Sequence, residues 1–230
     1  MVETVNAMEE KKIANFDEAH VSPLNILFVQ EAPCIRNYKM ATALRSKGHR
    51  VSLAFVKARL SQMYKDLRDD TYSNCIQLRN HRHLWDISNC YDIVHCHNEP
   101  DQLSVAALAC DVPVVHDTHD LISLRHGDNQ TLRYFEGIAN RGSSGRIYVS
   151  DYQMDMAHRI YKTDLSKSIV VPNYALKKMI PSRSLPKISQ GNGQINIVYE
   201  GSLSLVPNSH RYYWPIFRDL AKQGDRKSVV

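Results

Sequence analysis

Tyr91-Asp92-Ile93-Val94-His95-Cys96-His97 and Val112-Pro113-Val114-Val115-His116-Asp117 decide the fold of this chain. Each is a short apolar run closed by polar residues, the pattern of a strand covered on both faces. Between them, residues 101–109 carry Leu103, Val105, Ala106, Ala107 and Leu108 and read as a helix. In an open parallel sheet ligands bind at the carboxyl ends of the strands, so the residues that close these two runs are the first place to look for chemistry.

The same alternation extends outward in both directions. Upstream, Leu24-Asn25-Ile26-Leu27-Phe28-Val29 is a strand, Met40 and Leu44 lie on a helix stopped at Gly48, and residues 51–56 are the next strand. This first β-α-β unit implies a parallel pair with a right-handed crossover. Residues 58–68 read as helix and 75–78 as a short strand. Downstream come a helix at 133–139, a strand at 145–150, a helix at 152–161 and a strand at 168–171 that ends at Pro172-Asn173. Regular alternation of this kind predicts a doubly wound, Rossmann-like α/β domain over residues 24–180. Residues 1–23 are polar and read as a mobile extension, and 181–194 have the Pro, Ser and Gly content of a linker. Ile195-Asn196-Ile197-Val198-Tyr199-Glu200-Gly201-Ser202, followed by a helix at 212–223, reads as the first β-α unit of a second domain spanning 195–224. Residues 225–230 can be encoded by one frame of a sequencing adaptor and are expected to be an artefact, with the natural protein continuing past Gly224.

Composition narrows the function classes. The 230 residues carry 29 Lys and Arg against 24 Asp and Glu, a formal charge of +5, and 43% apolar residues, which excludes disordered and collagen-like chains. No apolar run approaches the roughly 20 residues that cross a bilayer, and no secretory signal stands at the start, so a cytoplasmic location is expected. Five cysteines without CxxC spacing fit reduced thiols better than a disulfide framework or a cysteine zinc site. The basic residues form no long run and do not single out nucleic acid. GxSxG, GxGxxG after the first strand and GxxxxGK[ST] are all missing from the sequence, which argues against hydrolase elbows, nicotinamide or flavin fingerprints and P-loops.

The loops after the strands carry the candidates. His116-Asp117-Thr118-His119-Asp120 is the densest polar group, and a histidine beside an aspartate can act as acid or base near neutral pH. His119 is read as functional and His116, inside the strand, as structural. His95 and His97 share one face of their strand and invite a zinc reading, but no HExxH or Cys/His array accompanies them and no metal is expected. His81 and His83 read as exposed residues near a helix end, and the basic residues of 36–50 as a solvated helical face. The Gly201-Ser202 turn could bring backbone N–H groups to a phosphate.

Taken in order, the motifs Asn25-Ile26-Leu27-Phe28-Val29, Leu44 to Val51, Tyr91 to His97, Pro113 to Asp120, Val149-Ser150, Val170-Val171-Pro172-Asn173 and Ile197 to Ser202 resemble retaining GT-B glycosyltransferases, especially family 4. The resemblance covers residues 24–223. It implies a GT-B fold of which this chain holds the acceptor-side domain and the first β-α unit of the donor-side domain. It also implies transfer of a sugar, with retention, from a nucleotide-diphosphate donor to a glycan or lipid-linked acceptor of a cell-surface polysaccharide. The nucleotide sugar is then a co-substrate, no metal or other cofactor is needed, and a lipid-linked acceptor brings peripheral contact with the inner face of the membrane. By the same resemblance His119 and Asp120 are catalytic, Gly201, Ser202 and Arg211 bind the donor, and Glu31, His97 and Asn98 bind the acceptor. Two departures stand out: the first loop lacks paired glycines, and Tyr174 follows Asn173 where glycine is usual. The Glu-x7-Glu segment that holds the donor lies beyond Gly224 in the family, so the 230 residues alone are expected to be an inactive fragment. A GT-B nucleotide-sugar 2-epimerase and a nonenzymatic Rossmann-like binding protein are the alternatives.

Overall fold

The structure, a computed structural model, describes residues 22–57, 71–127, 129–177 and 212–222. Its strands are β1 (Asn25–Gln30), β2 (Arg50–Phe55), β3 (Cys75–Gln77), β4 (Ile93–His97), β5 (Val114–Thr118), β6 (Gly145–Tyr148) and β7 (Ser168–Val170). The helices between them are α1 (Ile35–Ser46), α2 (His81–Ser88), α3 (Asp101–Ala107), α4 (Ile122–Arg125), α5 (Gln130–Gly142) and α6 (Asp151–Tyr161). All neighbouring strands run parallel, in the order β3-β2-β1-β4-β5-β6-β7. The chain steps outward from β1 to β3, then returns to the other side of β1 with β4. This is a doubly wound Rossmann-like domain.

Alternation along the strands divides the core into two layers. Leu27 and Val29 of β1 share one face with Ala54, Val94, Cys96 and Val114, covered by Leu84 of α2 and by Leu103 and Ala107 of α3. Ile26 and Phe28 share the other face with Val51, Leu53 and Phe55, covered by Met40 and Ala41 of α1. Leu27, Phe28 and Leu53 are fully buried, each stabilising the fold by about 1.5–3 kcal/mol relative to exposure. The same alternation decides where the polar residues of β4 and β5 go. His95, His97 and Asp117 emerge on the α1 face, among Phe28 and Arg36, and His116 emerges on the α3 face beside Ser104.

Local signals set the helix ends. Asn37 Oδ1 accepts from the Cys34 N–H at 3.0 Å at the start of α1, and Gly48, at φ +91, carries the turn into β2. Asn80, Asn129 and Ser150 cap α2, α5 and α6 through the third residue's N–H. His81 opens α2 and is exposed, as its reading near a helix end requires.

The chain forms two compact units, Met1–Asn173 and Tyr174–Val230. The described part of the second contains α7 (Trp214–Lys222). The expected extension up to residue 21, the helix at 58–68, the linker at 181–194, the strand at 195–202 and the tail at 225–230 lie outside the described residues. Among the described residues no helix is long and apolar enough to cross a membrane.

Candidate active site

The strand order reverses between β1 and β4, the position at which the loops leaving a doubly wound sheet diverge to leave room for a ligand. Asp117, near the end of β5, is the centre of what lies beneath it. Its carboxylate is fully buried and accepts from Arg36 Nε at 3.2 and 3.1 Å and from Arg36 Nη2 at 2.9 Å. Arg36 also donates to Asn173 Oδ1 at 3.2 Å and to the Val171 carbonyl at 3.1 Å, so one side chain of α1 ties the ends of β5 and β7 together. On the opposite side of the carboxylate, His95 Nε2 and His97 Nδ1 face Asp117 Oδ2 at 3.4 and 3.2 Å, and His119 Nε2 lies 4.0 Å away. None of these three ring nitrogens makes a hydrogen bond. The His95 and His97 rings stack with centroids 4.4 Å apart, and His119 meets His97 edge-on at 5.7 Å.

Burial governs the protonation of this group. It would raise the Asp117 carboxyl, but the approach of His95 and His97 outweighs it and holds the group well below the ordinary carboxylate range. Burial, with His95 beside it, drives His97 down to about 3. Burial likewise lowers His119, with the Arg36 guanidinium adding to the effect against the pull of Asp117. His97 and His119 are therefore neutral imidazoles at physiological pH, beside a charged aspartate. His95, His97 and Asp117 bring three potential ligand atoms within 4.8 Å of one another, a spacing that one metal ion could bridge. Arg36 already bonds to both oxygens of that carboxylate, and a divalent cation would sit against a guanidinium; the set fits the arginine and not a metal.

The loops hold His119 from two sides. Asn98 Oδ1 accepts from the His119 N–H at 2.9 Å while Asn98 Nδ2 donates to the Asp120 carbonyl at 2.7 Å. Gln153 of α6 donates to the His119 carbonyl at 2.9 Å. The His119 ring is 18% exposed, whereas His97 and Asn98 are fully buried. The Asp120 carboxylate turns away to Arg125, at 2.8 Å, and Arg125 also pairs with Glu99. Glu31 is half-exposed at the rim and pairs with Lys57 at 2.8 Å. Thus Glu31, His97, Asn98, His119 and Asp120 all lie at the carboxyl end of the sheet, and Gly201, Ser202 and Arg211 lie outside the described residues.

Two residues were missed from sequence. Arg36 was assigned to a solvated helical face, and the structure corrects this: it is 3% exposed and bonded to Asp117. A cation in the first turn runs against the helix dipole, but that alone does not tell a buried guanidinium from a solvated one. Asp117 itself was grouped with its histidines but not seen as their common partner, since the relevant contacts come from β4 and α1.

The family model for Glycosyltransferase Family 4 matches residues 36–174. No curated protein matches the chain. Among solved structures, the glycotransferase of kitacinnamycin is 12% identical with a TM-score of 0.54, over 89% of this chain and 64% of that one. A glycosyltransferase from Rickettsia africae is 17% identical with a TM-score of 0.44, over 66% of this chain and 43% of that one. Anabaena Alr3699/HepE, solved with UDP and glucose, is 16% identical with a TM-score of 0.40, over 65% of this chain and 44% of that one. The chain thus spans less than two thirds of the length of each. At these identities the first likeness speaks to the fold alone.

Proposed function

The chain belongs to glycosyltransferase family 4, and on that premise we propose that it is the acceptor-side part of an enzyme that moves a sugar, with retention, from a nucleotide-diphosphate donor to a glycan or lipid-linked acceptor. The observation that carries the reading is His119: a partly exposed, neutral imidazole after β5, its backbone fixed on both sides, within the segment the family model matches. A sugar in transfer develops positive charge at its anomeric carbon. A neutral imidazole can hydrogen-bond a sugar hydroxyl there without opposing that charge, whereas an imidazolium would oppose it. Buried Asp117, 4.0 Å behind the ring, pulls the imidazole toward protonation, but burial outweighs it, and its fixed negative charge attracts the positive charge that develops on the sugar.

The remaining assignments follow from the family resemblance. The resemblance gives Glu31, His97 and Asn98 to the acceptor and Asp120 to catalysis; Glu31 stands at the rim, while the full burial of His97 and Asn98 suits them to holding His119 and its loop, a loop that Asp120 ties to Arg125. The Gly201-Ser202 turn and Arg211 meet the donor diphosphate, where N–H groups and a guanidinium would offset the leaving charge. The nucleotide sugar serves as co-substrate without a metal or other cofactor, and the reaction runs in the cytoplasm, at the inner membrane face where the acceptor is lipid-linked.

The test is transfer by the full-length enzyme from a panel of uridine, guanosine and thymidine diphosphate sugars, with the anomeric configuration of the product read by NMR. A product that keeps the donor's configuration is expected. Inversion overturns the retaining assignment, and the absence of transfer from every donor overturns the transferase reading.

A further inference from the structure

A cleft of about 260 Å3 opens beside the histidine cluster, lined from one direction by Glu31 of the loop after β1 and by Glu99, Asp101 and Gln102 at the start of α3. Helices α4 and α5 contribute Ile122, Leu132 and Phe135 to the same cleft. It therefore joins hydrogen-bond acceptors to an apolar, partly aromatic surface. Its one lining cation, Arg125, is committed to Glu99 and Asp120.

Asp101 is the feature that the fold does not explain. Its side chain is 3% exposed, its Oδ1 has no hydrogen-bond partner, and His116 Nε2 lies 3.5 Å from it. His116 is fully buried, with its Nδ1 engaged by Ser104 Oγ at 2.9 Å. A buried carboxyl without a partner is costly, and a ligand hydroxyl would supply what it lacks.

We propose that this cleft seats the acceptor's sugar ring and selects a neutral ring over an anionic one: its hydroxyls bond to Glu31 and Asp101, and its C–H face rests on Phe135 and Leu132. The proposal rests on the transferase reading and specifies the acceptor that reading leaves open. A sugar ring has this two-sided character, with hydroxyls at its edge and an apolar C–H face. Glu31, Glu99 and Asp101 leave the lining net acidic, since among the described residues Lys57 and Arg125 are already paired with Glu31, Glu99 and Asp120, and a uronate or phosphate placed among them would be repelled. Burial, followed by Glu136 and Glu99, pushes the Asp101 carboxyl up to about 7, so near neutral pH it can donate as well as accept.

The experiment is a titration of the chain, carrying 13C-methyl labels on Ile122 and Leu132, with p-nitrophenyl β-glucoside and p-nitrophenyl β-glucuronide, which differ by one carboxylate. Saturable shifts of both methyls with the glucoside are expected, with the glucuronide at least about tenfold weaker. Glu31→Gln, at a half-exposed position that the core does not need, should narrow that gap, and Asp101→Asn should narrow it further. Equal or tighter binding of the glucuronide overturns the proposal, as do shifts confined to other residues or the absence of saturable binding by the glucoside. Transfer by the full-length enzyme together with an unresponsive cleft would remove this site and leave the transferase reading. A responsive cleft in an enzyme that transfers no sugar would do the reverse.

Discussion

Arg36 and Asp117 form the pair on which the site's geometry depends. Replacing Arg36 with Met leaves a fully buried carboxylate without its guanidinium, and loss of one partner of such a pair typically costs about 3–5 kcal/mol. Urea unfolding should show that loss, and the double variant Arg36→Met with Asp117→Asn should recover most of it; a single variant as stable as the parent would contradict the pairing. His119 tests the site rather than the fold. In the full-length enzyme His119→Ala should lower kcat about a hundredfold with little change in the urea midpoint, because the ring is partly exposed and its backbone bonds remain. The histidines were legible in the sequence as a polar group closing apolar strands. Arg36 was not, since the anion that explains it lies far along the chain and nothing in the local pattern of α1 distinguishes a buried guanidinium from a solvated one.

At the level of elements, the strands were legible because apolar runs of five or six residues between turn signals leave few alternatives, and β1, β2 and β4 begin within two residues of their expected starts. Helix α4 was not, since four residues cannot display a helical period. Helix α2 was foreseen only as a helix end near His81, although Asn80 was an available cap signal. The clasp that Asn98 makes between β4 and the loop after β5 was equally hidden, because it depends on two strands becoming neighbours. Asn98→Asp keeps an acceptor for the His119 N–H but turns the donor to the Asp120 carbonyl into a second acceptor. The expected cost is about 1–3 kcal/mol, accompanied by faster hydrogen exchange at the His119 amide. Unchanged exchange at that amide would mean the clasp does not hold the loop.

For the whole molecule, buried histidines make stability depend on pH. In the folded protein His97 titrates near 3 and His116 near 4, both lowered chiefly by burial, against about 6.5 when unfolded. As pH falls below about 6.5 the unfolded chain takes up protons that the folded one refuses, so stability present above that pH is lost progressively toward pH 4. Asp101, raised to about 7, works in the opposite sense over the same window, because the folded state takes its proton first. Three lowered histidines, His97, His116 and His119, against one raised aspartate leave a net loss of stability as pH falls from 6 toward 4.5. Thermal unfolding should therefore begin at lower temperature at pH 5 than at pH 7, and His97→Asn should flatten the dependence; a melting temperature that rises toward pH 5 would refute the balance. The strand order has a consequence of another kind. β1 pairs with β2 close behind it, but its second neighbour is β4, whose register begins at Ile26 opposite Ile93. While the ribosome is still adding the residues between β2 and β4, the nascent chain holds β1, a future interior strand of its sheet, with one side open. Such an edge can recruit a strand from a neighbouring polypeptide, so yield in the cell should depend on how quickly translation delivers β4 and on chaperones that shelter β1 until then.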